Sequence, residues 1–524
     1  MNRNIGEARR AYQSLYQINT RVWLTELSRR LGRRATLDDI PEDALDRVAG
    51  LGFDWVWFLG VWQTGPAGMR ISRSNPEWRH EFAETLPDLE EGDIAGSCFA
   101  ITAYDVPAEC GGDAALARLR QRLSRRGQRL MLDFVPNHTA LDHPWTSRHP
   151  EYYVAGSDDQ LRNEPQNYIR IDADGRERII AYGRDPYFSG WPDTAQLNYA
   201  DPGLQAAMRE ELLRIAARCD GVRCDMAMLI LPEVFERTWG LRSAPFWPET
   251  IAEVKRRHPQ FVLMAEVYWD LEWTLQQQGF DYTYDKRLYD RLRDGHAAPV
   301  RGHLHAGLDF QNRLARFLEN HDEPRAAATF PPNEHQAAAI VTFLTPALRF
   351  IHDGQIEGRT RRISPHLVRA PMEPKNAELE KFYRRLLDLL KRAVVREGEW
   401  RLLDCRAAWE GNDSWDNFIA FEWRRGDERL LVAVNFAPHP SQCFVSIPAI
   451  APEEGAVYRL QDSLSAARYE REAADLVTRG LYLDVGAWHY HVFELTQISA
   501  ATDHKRRRET NRDRSSRGVE RRAT

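Results

Sequence analysis

Four short apolar runs, each closing on a carboxylate, constrain this chain more than any other feature. Residues 130–138 read Leu-Met-Leu-Asp-Phe-Val-Pro-Asn-His. An apolar stretch that ends in polar side chains is the pattern of a buried strand delivering groups to a rim. Residues 221–225 (Gly-Val-Arg-Cys-Asp), 261–266 (Phe-Val-Leu-Met-Ala-Glu) and 317–322 (Phe-Leu-Glu-Asn-His-Asp) repeat it. Further strands are expected at 18–24, 53–59, 280–282 and 347–351. Helices fall between them. One covers 41–52, with proline in its first turn and a glycine stop. Another covers 112–127, with Leu116, Leu119 and Leu123 on one face; more follow at 202–219, 249–258 and 334–343. About eight strand and helix alternations over about 390 residues point to a (β/α)8 barrel rather than an open doubly wound sheet. No phosphate-loop or dinucleotide fingerprint follows any of the strands.

Where the alternation breaks, further parts are expected. Residues 60–91 carry Gly, Pro and scattered Trp and read as a long loop over one face of the barrel. Residues 139–198 form a polar, aromatic-containing excursion domain after the third strand, so the barrel itself comprises 1–138 and 199–397. Beyond Trp400 come short β-rich runs without helices between them, which give an antiparallel β domain over 398–497. The remaining 498–524 form a basic tail; from Asp503 on it holds nine Lys or Arg against four Asp or Glu, net +5, and disorder is expected there.

Composition excludes several function classes. A net charge of -6 with 43% hydrophobic residues gives no reason to expect nucleic-acid or membrane partners. The six cysteines show no CxxC pair and are expected to be thiols. The first residues lack the apolar core of a secretory signal, and no run approaches about 18 apolar residues, so a cytoplasmic protein is expected. Nothing in the sequence fixes an oligomeric state.

In a (β/α)8 barrel the C-terminal strand ends face one pocket, so Asp225, Glu266 and Asp322 converge there, with Arg223, His138 and His321 around them. The set lacks the Cys and His ligands of a zinc site. Paired carboxyls suit glycoside hydrolysis, in which one stays protonated and another is ionised. Arg223 shares a strand face with Asp225 and is expected to lower its pKa, while the apolar run before Glu266 raises that of Glu266. Taken singly, an aspartate at a strand end is usually a cap and a lone histidine a structural group; their joint occurrence reverses that reading. Trp191, Trp247, Trp269 and Trp273 are sugar platforms or packing residues, and Gln196-Leu197-Asn198 is a landmark or a turn.

Taken in order, Asp133-Phe-Val-Pro-Asn137-His138, Gly221-Val-Arg223-Cys-Asp225, Glu266 and Asn320-His321-Asp322 resemble the signature regions of the α-amylase superfamily, glycoside hydrolase family 13. The resemblance spans roughly residues 16–497. It implies Asp225 as nucleophile, Glu266 as general acid and base, and Asp322 as the carboxylate that binds sugar hydroxyls and stabilises the transition state. His138, Arg223 and His321 would contact the substrate, as would Phe99, which stands where the family usually has a stacking tyrosine. The implied activity is retaining hydrolysis of α-glucosidic bonds in α-glucans or small α-glucosides. No cofactor is required; Asn137 resembles a position that ligates structural calcium. Two departures stand out. Met-Ala-Met-Leu follows Asp225 where many amylases have a Lys-His pair, and Gly96 stands where exo-acting relatives carry a carboxylate three residues before the stacking aromatic. A glucanotransferase or sugar isomerase using the same intermediate is therefore the alternative. A non-catalytic amylase-like scaffold is a third reading, opposed by the intact Asp225, Glu266 and Asp322.

Overall fold

A computed structural model describes residues 12–173, 175–448, 450 and 455–498, so the tail expected beyond residue 498 lies outside the described residues. Eight strands close into a barrel in chain order. They are β1 Ser14–Asn19, β2 Trp55–Leu59, β3 Arg129–Phe134, β4 Gly221–Cys224, β5 Val262–Ala265, β6 Tyr282–Tyr284, β7 Leu314–Arg316 and β8 Leu348–His352. Every neighbouring pair is parallel, and β1 closes the ring on β8 with Tyr16 opposite Ile351. This is the (β/α)8 barrel that the alternation implied. β4 can approach β5 because it starts on glycine: a Cβ on Gly221 would lie 2.7 Å from the Val262 carbonyl oxygen.

The barrel interior is packed with aromatic rings. Trp57, Tyr284, Phe317 and Phe350 project inward from β2, β6, the end of β7 and β8, with centroids 5.2 to 5.9 Å apart. Such edge and tilted contacts fill a closed barrel without a pore. This layer is the floor of the centre described below, since the Arg223 guanidinium carbon lies 5.5 Å from the Trp57 ring.

Three local expectations are corrected. β1 begins and ends earlier than 18–24, because Asn19 caps a helix, Thr20–Leu31, by accepting from the Val22 amide at 3.2 Å. Val22, Leu24 and Leu27 are then the buried face of that helix. Residues 60–91 are not a plain loop: they hold helices Pro66–Ser74 and Pro76–Thr85. The prolines read as loop signals occupy the first helical position, where their missing N–H costs nothing, and Asn75 caps the second helix. β6 sits two residues later than 280–282, because Phe280 packs instead on Trp247 at 4.8 Å.

Between β3 and β4, strand His138–Ala140 pairs with Thr194–Gln196, and a hairpin is formed by Tyr168–Ala173 and Arg176–Ala181. After the barrel come a six-stranded and a three-stranded antiparallel sheet. Period-two alternation in Phe418–Arg425 divides the six-stranded sheet between two cores: Ile419, Phe421 and Trp423 join the barrel's core, while Phe418 and Ala420 face a separate one. Trp423 Nε1 donates to the Leu344 carbonyl at 2.6 Å across that junction. The described cysteines are all free thiols. Among the described residues, no helix is long and apolar enough to cross a membrane.

Candidate active site

The strand ends bring the sequence-derived carboxylates to one point. On β4 the period of two puts Arg223 and Asp225 on the inner face, and Arg223 is fully buried. Its Nη1 donates to Asp225 Oδ1 at 2.6 Å and its Nη2 to Glu266 Oε2 at 2.6 Å, while Asp322 Oδ2 stands 3.9 Å from Nη2. One planar guanidinium therefore serves three carboxylates. Asp225 and Glu266 are buried; the Asp322 side chain is 40% exposed and forms the open edge.

Electrostatics separates the three. Burial pushes Glu266 up to about 7; Arg223 opposes this, and the negative charges of Asp225 and Asp322 add to it. Burial also raises Asp225, against the guanidinium bonded to it. The sequence expectation that Arg223 alone sets Asp225 low is thus corrected: its charge is shared, and desolvation prevails. Asp322 goes the other way. Burial would raise it, but His321 and Arg223 together hold it near 2.

Supporting residues fix these groups. Met226 takes a left-handed conformation, φ 42°, which turns its amide onto Glu266 Oε2 at 2.8 Å. Tyr268 donates to Glu266 Oε1 at 2.8 Å. Asn320 Oδ1 accepts from the amides of Asp322 and Glu323, both at 2.9 Å, and so bends the chain after β7. Behind that bend Glu319, wholly buried, accepts from the Ala326 amide at 2.7 Å and pairs with Arg325 at 2.8 Å. Gln17 Nε2 donates to His321 Nδ1 at 2.9 Å, leaving His321 Nε2 3.0 Å from Asp322 Oδ2.

Of the remaining residues, Phe99 packs its ring 5.3 Å from His321 and 5.1 Å from the Arg223 guanidinium. His138 flanks the centre with its ring 5.3 Å from Trp191; burial holds it neutral, with a pKa of about 3, and its Nδ1 is buried without a partner. Asp133 organises the end of β3: its carboxylate accepts from Trp57 Nε1 at 3.1 Å and the Gly60 amide at 2.9 Å. Asn137 does not join the centre. Its side-chain oxygen accepts from Gln196 Nε2 at 3.0 Å and its nitrogen donates back at 3.2 Å. Among the described residues no cluster of three His, Cys, Asp or Glu side chains could hold a metal ion. The Asn137 side-chain oxygen, expected to resemble a calcium ligand, is here taken by Gln196.

The Gly96 departure has a steric cause. Gly96 has φ +85°, and a Cβ there would lie 2.7 Å from the Met69 amide nitrogen of helix Pro66–Ser74. The helix fills the space a carboxylate would need. That helix and its successor are fastened to the segment after β8 through a satellite core of Phe82, Leu86, Ile94 and Leu367, and Arg369 binds both Asp88 and Asp93.

Sequence reasoning missed Gln17, Tyr268 and the Glu319–Arg325 pair. Tyr268 stands two residues beyond Glu266, the same spacing that linked Arg223 to Asp225, and was findable by that rule. Gln17 was hidden by the misplaced β1.

Fold and centre together define a (β/α)8-barrel protein whose pocket is ringed by carboxylates around one arginine. Residues 43–289 match the α-amylase catalytic domain. The α-amylase MalA of Haloarcula japonica is 25% identical over 358 residues, 66% of this chain and 44% of that protein. The intracellular maltogenic amylase of Bacillus subtilis is 25% identical over 348 residues, 61% of this chain and 53% of that protein. The chain thus spans about half the length of the curated relatives it matches. The crystal structure of a maltogenic α-amylase, AmyB, from Thermotoga neapolitana superposes with a TM-score of 0.65 at 18% identity, covering 92% of this chain and 98% of that one. Over these residues the chain is similar to the catalytic domain of α-amylases, and its fold is theirs.

Proposed function

We propose that the protein is a retaining glycoside hydrolase that cleaves α-glucosidic bonds of α-glucans or small α-glucosides by double displacement. The observation that carries this is Arg223 bridging Asp225 and Glu266, with Glu266 raised to about 7 so that it holds a proton near neutrality. Two carboxyls sharing one guanidinium and one proton are the acid and nucleophile that the reaction needs.

In the first step Asp225 attacks the anomeric carbon while Glu266 gives its proton to the departing glycosidic oxygen. A glycosyl ester on Asp225 results, and the free alcohol leaves. Glu266, now ionised, takes a proton from water as the water oxygen attacks the same carbon, releasing the sugar and restoring both carboxyls. Asp322, held ionised by His321 and Arg223, faces the positive charge that develops on the ring. His138, His321 and Phe99 hold the sugar, with residues 139–198 as the excursion walling the pocket. A cytoplasmic location is part of this reading and is compatible with a relative named intracellular.

The anomeric form of the first product tests the reaction. Proton NMR of early hydrolysis of an α-linked substrate is expected to show the α-anomer first; a β-anomer first would exclude retention. A panel of maltose, trehalose, sucrose and maltooligosaccharides separates hydrolysis from transfer to a sugar acceptor, since transfer yields new oligosaccharides and water does not.

A further inference from the structure

Beyond Glu266 the pocket rim carries groups that the double displacement does not use. Trp269 and Asp270 are consecutive non-glycine residues in the left-handed region, φ 64° and 62°. Arg287 Nε pins the turn by donating to Asp270 Oδ1 at 2.5 Å. Strained backbone of this kind persists where its surroundings hold it and clusters at functional sites. The turn presents Trp269 to Tyr187, the rings 5.1 Å apart and nearly perpendicular. Tyr187 and Phe188 are 60% and 71% exposed, on a loop that Asp185 fixes by accepting from both their amides. Other parts of that loop reach the centre: Trp191 packs on His138, and a Cβ on Gly183 would lie 3.0 Å from the His138 Cβ.

Arg237 projects into this aromatic corner from helix Pro232–Trp239. Its guanidinium carbon lies 5.6 Å from the Tyr187 ring and 5.9 Å from the Trp269 ring. Among the described residues no carboxylate is within ion-pairing distance of it, whereas the nearby Arg242 is taken by Glu236 at 2.9 Å. An exposed guanidinium standing beside two rings keeps its planar fork of donors for an incoming carboxylate or phosphate. Trp269 directly follows Tyr268, which donates to Glu266, the group that would protonate the departing oxygen, and the corner is assigned to the departing side on that link.

We propose that this corner binds a compact anion, carboxylate or phosphate, carried by the leaving group or acceptor of the α-glucoside. Arg237 is its anchor, and Trp269 and Tyr187 are its walls. The side assignment rests on the retaining reaction proposed above. Calorimetric binding to the Glu266→Gln protein tests it with two matched pairs: glucosylglycerol against glucosylglycerate, and trehalose against trehalose 6-phosphate. At least one anionic member is expected to bind about tenfold or more tightly than its neutral mate, and the pair that does so tells carboxylate from phosphate. Adding Arg237→Gln is expected to bring that ratio to about one, while Arg242→Gln leaves it in place. Ratios within twofold for both pairs, absence of anion binding, or a ratio that survives Arg237→Gln each overturn the proposal. Wild-type turnover of a neutral activated α-glucoside is scored separately: its absence overturns the reaction, and its presence with equal binding overturns the anion corner alone.

Discussion

Arg223 on β4 and Arg316 on β7 are both fully buried and both bonded to an aspartate, yet their surroundings have opposite electrostatics. Arg316 gives its Nε to Asp285 at 2.8 Å and its other donors to Thr345, the Pro346 carbonyl and Gln311. His303 approaches the same aspartate at 2.9 Å, and the Leu288 amide donates to it. Burial alone would raise Asp285, but His303 and Arg316 hold it well below the usual carboxylate range. Arg223 has three carboxylates to serve and leaves its own Nε without a partner. There positive charge is short and Glu266 rises. Burial and ion pairing are therefore not what marks a reacting centre. The imbalance is: a satisfied pair is locked in one protonation state, whereas an undersupplied cluster can pass a proton.

The largest expected effect breaks the satisfied pair. Arg316→Met leaves four donor contacts empty and Asp285 short of a partner, and is expected to cost about 3–5 kcal/mol of stability. Urea unfolding checks it. Arg223→Met is expected to cost less than half as much, because its carboxyls can take up protons in place of the lost cation; an equal loss would erase the distinction. On catalysis the order reverses. Glu266→Gln is expected to lower turnover of an activated α-glucoside by ~10²-fold or more, about 2.7 kcal/mol of barrier. Asp285→Asn, compared per folded molecule, should leave turnover close to wild type. Near-normal turnover in Glu266→Gln removes Glu266 from the mechanism.

A smaller effect is expected from Gln17→Leu, which removes the donor that orients His321. One buried hydrogen bond of about 1–1.5 kcal/mol corresponds to roughly a tenfold fall in kcat/KM. The split between kcat and KM tells whether His321 is needed in the transition state or in substrate binding. A loss confined to thermal stability would make Gln17 a packing residue.

How much of this was legible depended on which interactions are local. The barrel could be read because each strand is a short apolar run and each helix has its own stop, as at 112–127. Arg223 and Asp225 were legible as neighbours because a strand's period of two is fixed by the backbone. The helices within 60–91 were not, since proline and glycine mark helix starts as readily as loops, and what decides is the packing of Phe82 on Leu367, far away in the chain. The sharing of Arg223 was invisible for the same reason: Glu266 lies 43 residues further along and meets the guanidinium only when β4 and β5 pair. The amide pair that closes Asn137 depends in turn on Gln196, brought beside it by the antiparallel strands of the excursion.

Proton linkage sharpens the comparison between the two clusters at the smallest scale. Glu266 keeps its proton in the folded protein up to about 7, whereas the unfolded chain releases it near 4.3. Between those values the folded state binds more protons, so this group's contribution is complete below about 4.3 and is lost as pH rises through 7. Asp285 has the opposite sign: depressed in the fold, it stabilises above the unfolded value near 3.9 and loses that contribution as pH falls. Melting temperatures measured from about pH 2 to 8 should therefore show Glu266→Gln gaining on wild type as pH rises from about 4.3 to about 7 and then running parallel to it. Asp285→Asn should show its greatest deficit near neutrality and recover toward wild type below pH 4. Activity reads the same proton, since kcat/KM should fall above about 7 as the acid is lost. If the Glu266→Gln difference is flat across that range, Glu266 carries no extra proton in the fold, and Arg223 satisfies its cluster as fully as Arg316 does.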